Sequence, residues 1–205
     1  MEIEIAPARE DDLEPIVALY NHYVQHSSAT FEVAPVTVDE RRGWFADHAG
    51  GGRHRLLVAR ERGSAVVGWA TTSPFRPRAA YATTVESSVY CHPGHVGRGV
   101  GSALYAALFR AIAEEDIERI VAGIALPNPA STALHGRFGF RPVGVFTRVG
   151  RKFGRYWDVA WYERPRHLGE DDGAPAHRAE RAARAPATGP PRRGGPSPGP
   201  RAPIG

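Results

Sequence analysis

The chain of 205 residues carries a single cysteine, Cys91. An intrachain disulfide and a zinc site built on paired cysteines are thereby excluded, because each needs at least two thiols. Long apolar runs are absent too. No stretch approaches the roughly 20 apolar residues of a membrane-spanning helix, and the opening MEIEIAPARE is acidic, without the continuous apolar core of a signal peptide. The expectation is a cytoplasmic protein with no membrane partner. Aromatic residues are missing from the whole C-terminal end. Residues 166–205 contain no Phe, Trp or Tyr, whereas nine of the chain's 18 prolines lie from Pro165 onward. Such a composition buries too little apolar surface to offset chain entropy. The expected organisation is therefore a single folded domain over 1–165 and a disordered tail rich in Pro, Arg, Gly and Ala over 166–205. The tail's seven arginines against four acidic residues account for most of the net charge of +4, so the body is nearly neutral. A basic tail without interleaved aromatics lacks the stacking platform of a single-strand binder, and a nucleic-acid partner is not expected.

What the chain does have is concentrated in 90–111, YCHPGHVGRGVGSALYAALFRA. A strand ending near Cys91 runs into a turn dense in glycine, and the turn opens into a helix with Val100, Ala103, Leu104, Ala107, Leu108 and Ala111 at helical spacing. Gly97, Gly99 and Gly101 free the backbone for positive φ and for close approach of a ligand. The unpaired N–H groups of the following helix suit an anion such as phosphate. A tight connection that binds nothing is the plainer alternative. A Walker loop is excluded because Val100 and Gly101 stand where lysine and a hydroxyl residue are needed. The dinucleotide fingerprint fails at Ser102, the place of its third glycine.

Around this turn the pattern predicts strands at 2–6, 54–61, 65–72, 83–91, 118–125, 141–149 and 155–163. Arg62-Gly63-Ser64 reads as a hairpin turn, residues 73–78 with their two prolines as a break in the sheet, and 150–154 as the last hairpin's turn. A first helix is capped by Asp11 or Asp12 and buries Leu13, Ile16, Val17, Tyr20 and Val24. A second starts at a Thr37–Glu40 capping box and turns Trp44 and Phe45 inward. Asn128 followed by Pro129 starts the last, which ends at Gly139. His22 and His26 stand at a metal-compatible spacing without an evident third ligand, and no metal site is expected. The order β-α-α-β-β-β-α-β-α-β-β makes an α/β (α+β) domain, a mixed sheet with helices against its faces.

In that order the residues resemble the GNAT superfamily of acetyl-CoA-dependent N-acyltransferases. The run Val96-Gly97-Arg98-Gly99-Val100-Gly101 falls on the family pattern Q/R-x-x-G-x-G/A, departing from it at Val96. A closer resemblance, over nearly all of 1–165, is to the phosphinothricin and methionine sulfoximine N-acetyltransferases. It is carried by Asn21-His22-Tyr23, Arg78 with Tyr81, Val85-Glu86-Ser87-Ser88-Val89-Tyr90, Leu126-Pro127-Asn128, Leu134-His135, Phe138-Gly139-Phe140 and residues 150–158. The resemblance implies a largely antiparallel central sheet, acetyl-CoA as cosubstrate without a metal, a small amino acid or analogue as acceptor, and a homodimer.

It also implies site residues. Glu86 would be the base that takes a proton from the incoming ammonium, since a protonated amine cannot attack a thioester; the plainer reading is a solvated carboxylate. Val89, Tyr90 and Cys91 would pair with the pantetheine arm and offer a backbone N–H to the thioester oxygen. Gly97, Arg98, Gly99, Val100, Gly101 and Ser102 would hold the diphosphate, with Asn128 touching the arm. His135 would protonate the departing thiolate or contact substrate, or else be a histidine satisfied on its helix surface. Arg78, with Arg76 as a second cation, Tyr81, Ser87 and Ser88 would bind the acceptor, a guanidinium fork suiting carboxylate or phosphinate. Cys91 reads as a strand-end residue rather than an acylated nucleophile. Acetylation of another amine or a protein N-terminus, and a CoA-binding regulatory module with a basic tail, remain the rival functions.

Overall fold

The computed structural model describes residues 2–61 and 65–167. Seven strands form one sheet: β1 (Ile3–Pro7), β2 (Leu56–Glu61), β3 (Val66–Pro74), β4 (Thr84–Cys91), β5 (Arg119–Ala125), β6 (Arg141–Lys152) and β7 (Arg155–Pro165). Their order across the sheet is β1-β2-β3-β4-β5-β7-β6. Every neighbouring pair is antiparallel except β4 with β5. Four helices cover it: α1 (Leu13–His26), α2 (Val38–Ala49), α3 (Val100–Ala111) and α4 (Pro129–Arg137). This is the mixed, largely antiparallel sheet flanked by helices that the sequence and its resemblance imply. Among the described residues no helix is long and apolar enough to cross a membrane.

Alternation along the strands divides the core between two faces. Leu57 and Ala59 of β2 face α3, packing with Val85, Leu104, Tyr105, Leu108 and Ile120. Leu56 and Val58 face α1 and α2, packing with Ile16, Val17, Phe45 and Trp69. A sheet buried on both faces needs apolar residues at consecutive positions, which is why β2 begins Leu-Leu-Val-Ala. On α3 the buried face is Val100, Leu104, Tyr105 and Leu108; Ala111, expected there, is exposed.

Other departures have local causes. The strand expected at 54–61 begins only at Leu56. Asp12 is the N-cap of α1 but does not bond its first N–H groups. Its carboxylate is taken by the Arg9 N–H at 2.6 Å and by the Arg60 guanidinium. The Thr37–Glu40 capping box forms as read, with Thr37 Oγ1 accepting from Glu40 N–H at 3.2 Å. Ser73 and Pro74 do not break the sheet: they stay in register with Glu86 and Val85, and the chain leaves only after Pro74. The last hairpin is longer than expected. Gly150, Arg151 and Lys152 pair with Trp157, Tyr156 and Arg155, leaving Phe153 and Gly154 at the turn. Arg166 still donates to the Glu115 carbonyl. The turn expected at Arg62-Gly63-Ser64, and the expected tail from 168 onward, lie outside the described residues.

Candidate active site

The site begins where β4 parts from β5. The two strands pair only at Thr84 with Arg119, Val85 with Ile120 and Glu86 with Val121. Beyond these, β4 continues beside β3 to Cys91 and β5 beside β7 to Ala125, so a wedge opens between them. Antiparallel bonding alternates residue by residue and settles which peptide groups face the wedge. His92 N–H donates to Val67 O and Phe75 N–H to Thr84 O, at opposite ends of the β3–β4 ladder. Even-numbered residues of β4, Tyr90 included, therefore direct their peptide groups to β3, and Val89 and Cys91 turn theirs into the wedge. By the same alternation, the bond from Leu126 N–H to Asp158 O leaves Gly123 and Ala125 facing it from β5. Tyr23 of α1 donates its hydroxyl to Cys91 O at 2.6 Å.

The wedge leads to the glycine turn. Gly97 and Gly99 have φ of 78° and 86°, the left-handed region that side chains resist. The first bond of α3 runs from Ala103 N–H to Gly99 O at 2.9 Å. The N–H groups of Val100, Gly101 and Ser102 therefore precede the helix ladder and project from its end. Gly101 answers a different need from the one the sequence suggests. A Cβ there would lie 3.2 Å from Leu134 and 3.5 Å from Cys91 Sγ, so its glycine lets α3 sit close to α4. Asn128 Oδ1 caps α4 by accepting from Ser131 N–H at 3.0 Å.

Wedge, turn and the start of α4 enclose a cavity of about 740 Å³. Val89, Tyr90, Cys91, Gly97, Gly99 and Gly101 line it, as do Ser102, Asn128 and His135. Of the expected cofactor residues, Arg98 is not on its wall, and Val100 turns its side chain into the core at 1 % exposure. The shape fits an extended ligand with an anionic end: an unpaired strand edge along its length and projecting N–H groups at one extremity.

His135 is 3 % exposed rather than on the helix surface. Its Nδ1 lies 2.8 Å from Ser131 O and so carries the proton. Nε2 then accepts from the Tyr105 hydroxyl at 2.9 Å. Burial lowers the imidazole's pKa, the Ser131 carbonyl opposing in part, so the ring is neutral at pH 7. Nothing in the sequence singles out Tyr105, whose helical spacing marks only a core residue; it is fully buried. Its hydroxyl also lies 3.4 Å from Ser87 Oγ, itself 3.4 Å from Val121 O at the fork. Ser87 thus faces α3, on the side of β4 opposite Glu86 and Ser88.

Glu86 sits at the last paired rung of the fork. Burial pushes its pKa above the usual carboxylate value, and the nearby Arg76 charge opposes this in part. Thr84, Glu86 and Ser88 share one face, with Glu86 roughly 7 Å along the strand from each neighbour. Thr84 borders a depression of about 600 Å³ that also holds Arg76, Arg78, Tyr81, Arg53 and His54. Ser88 borders a smaller pocket of about 150 Å³ among Tyr20, Arg41, Trp44, Trp69 and Tyr90. The expected acceptor residues are thereby divided: Arg78 and Tyr81 lie on one side of Glu86 and Ser88 on the other, with Ser87 turned toward α3, and both serines also border the large cavity. Burial lifts the Cys91 thiol to about 11, and the adjacent His92 Nδ1 already accepts from Gly94 N–H. Among the described residues no cluster of three or more His, Cys, Asp or Glu is arranged to hold a metal; the His22 and His26 rings simply stack 4.7 Å apart.

The chain is similar to known proteins. The chain is 56 % identical over 165 residues to phosphinothricin N-acetyltransferase of Streptomyces coelicolor, covering 80 % of this chain and 96 % of the relative. It is 35 % identical over 163 residues to L-methionine sulfoximine/L-methionine sulfone acetyltransferase of Pseudomonas aeruginosa, covering 80 % and 94 %. A phosphinothricin acetyltransferase from Sinorhizobium meliloti, solved in complex with acetyl-CoA, superposes with a TM-score of 0.76 at 34 % identity, covering 80 % of this chain and 89 % of that one. Residues 16–140 match the acetyltransferase (GNAT) family. A strand fork that ends in a glycine-started helix, together with these likenesses, makes the chain an acetyl-CoA-dependent N-acetyltransferase and a member of the GNAT family.

Proposed function

We propose that the acceptor is the α-amino group of a small amino acid or amino-acid analogue with an anionic or strongly polar side chain, phosphinothricin and methionine sulfoximine first among them. The single observation that carries this is the position of Glu86. It forms the last paired rung of the fork, two residues along β4 from Thr84 at the rim of an arginine-bearing depression, and feels the charge of Arg76 from that depression. The named activities of the relatives support the same choice.

Acetyl-CoA supplies the acyl group already activated as a thioester. The N–H groups of Val100, Gly101 and Ser102 hold its diphosphate, and the wedge-facing edge at Val89 and Cys91 aligns its arm. Since Tyr23 already occupies the Cys91 carbonyl, pairing there uses Val89 and the Cys91 N–H. The Val89 N–H stabilises the negative charge that grows on the carbonyl oxygen during attack. Glu86, its proton affinity raised by burial, takes the proton that the ammonium must lose. Arg78 and Arg76 hold the acceptor's anionic groups. His135 enters as a neutral imidazole bonded at both nitrogens. Its Nδ1 proton is committed to Ser131 O, so the departing thiolate is supported by the Tyr105 hydroxyl, which turns its proton from Nε2 to the sulfur as charge grows there.

We also read the protein as a cytoplasmic homodimer. β6 is the outer strand of the sheet, and Val143, Val145, Phe146 and Val149 on it are each more than half exposed. Apolar side chains exposed on both faces of an outer strand make it a surface that a second copy would cover. The acceptor reading is tested by thiol release from acetyl-CoA against a panel of amino acids, simple amines and a peptide N-terminus. Turnover with phosphinothricin or methionine sulfoximine at least tenfold above every other acceptor is expected; faster turnover of the peptide would overturn it.

A further inference from the structure

The hairpin of β6 and β7 reaches back over the end of α1, far away in sequence. Lys152, the last residue of β6, is 4 % exposed. Its ammonium donates to Thr30 O at 2.7 Å and Ser27 O at 2.8 Å, with Tyr23 O at 3.4 Å. Burying an ammonium is costly unless its donors are matched, and here three donors meet three main-chain carbonyls. The Tyr23 carbonyl belongs to the final turn of α1, where the helix dipole is negative and a cation is favoured. The same hairpin presses on this segment once more: a Cβ at Gly150 would fall 2.3 Å from the Phe31 ring. Beneath it lies the cofactor cavity. Tyr23, Ser27, Ser28 and Ala29 form one of its walls, and Tyr23 holds the Cys91 carbonyl on the wedge edge.

We propose that Lys152 is a positioning residue for acetyl-CoA binding. By tying the last turn of α1 to the β6–β7 hairpin it keeps Tyr23 on Cys91 and residues 27–29 against the cavity. The inference rests on the reading of that cavity as the acetyl-CoA site. It goes beyond that reading by giving the hairpin, which contributes nothing to the cavity wall, control over the wall's place.

The test is calorimetric titration of acetyl-CoA into the wild type, Lys152→Met, Tyr23→Phe and the double variant, each checked by thermal melting. Lys152→Met is expected to raise Kd at least tenfold and Tyr23→Phe at least threefold. Because one residue acts through the other, the double variant should bind no more than about 1.5-fold more weakly than Lys152→Met, half or less of the Tyr23→Phe loss measured alone. A cooperatively melting Lys152→Met with Kd less than threefold above wild type overturns the proposal, as do losses that simply multiply. Should Lys152→Met lose its cooperative melt, Tyr23→Phe decides: a threefold loss supports the proposal and wild-type affinity overturns it. A wild type that binds no acetyl-CoA overturns the cavity's assignment together with the proposal, whereas the other outcomes bear on Lys152 alone.

Discussion

Replacing Gly99 by alanine separates what the backbone does for the ligand from what it does for the fold. The residue has φ of 86°, and a methyl group built on it meets no atom within 4 Å. Steric conflict with the protein therefore adds nothing, and the stability loss reduces to holding an L-residue in the left-handed region, about 1–2 kcal/mol. For a chain of this size that corresponds to a fall in Tm of roughly 2–8 °C. If the N–H groups of Val100, Gly101 and Ser102 grip the diphosphate, relief of that strain turns the peptide planes away, and acetyl-CoA affinity drops about tenfold, or about 1.4 kcal/mol. Gly101→Ala is the control. Its Cβ points at Leu134 and Cys91, so tight packing is set against a gain in helix propensity of about 1 kcal/mol, and affinity should change less than threefold. Differential scanning calorimetry and ligand titration on the two variants decide the matter. Wild-type affinity in Gly99→Ala, or an equal loss in Gly101→Ala, would refute the anion cradle.

Glu86→Gln should lower kcat about a hundredfold while acetyl-CoA affinity stays within twofold, the range expected for loss of one general base; undiminished turnover at pH 7 removes Glu86 from that role. Because burial raises the Glu86 pKa, the base form is lost as pH falls through a value above the usual carboxylate range, and the acid limb of kcat/KM should appear there. Arg76→Ala removes the opposing charge and should move that limb to still higher pH; a shift downward contradicts the placement. Tyr105→Phe takes one donor from the buried His135, lowering stability by about 1–3 kcal/mol and kcat about tenfold. In a double-mutant cycle with His135→Ala the kcat losses should not add, and additivity would separate the two residues. Phe146→Glu, on the exposed face of β6, should convert a dimer to a monomer in light scattering; an unchanged mass places any interface elsewhere.

What was legible in the sequence was local chemistry. The positive φ of Gly97 and Gly99, the Thr37–Glu40 capping box and the Asn128 cap each depend on neighbours within four residues, and the chain spells them out. What was not legible depends on partners far away. Gly150 reads as turn punctuation, yet it is a strand residue kept small by Phe31, more than a hundred positions earlier. Asp12 reads as a helix cap, yet Arg60 claims its carboxylate. Pro74 reads as a break because a proline lacks an N–H, but it closes its strand, where little pairing is lost. In the candidate site, the strand edge and the glycine turn could be placed from the sequence, whereas Tyr105 and Lys152 could not. One is indistinguishable from core by its spacing, and the other resembles any basic residue near a hairpin tip. Ser87 and Ser88 both border the main cavity, but as adjacent residues of a strand their side chains point to opposite sides, which the sequence alone does not tie to either pocket.

The fork has one more consequence, for handling the protein. A sheet interrupted at its centre carries two bare edges inward, at Val89 and Cys91 and at Gly123 and Ala125, and bare edges recruit strands from other chains. Tyr23 blunts only one carbonyl of that set. Preparations kept with CoA should consequently stay clear on prolonged storage, while ligand-free samples cloud at a rate that climbs with concentration.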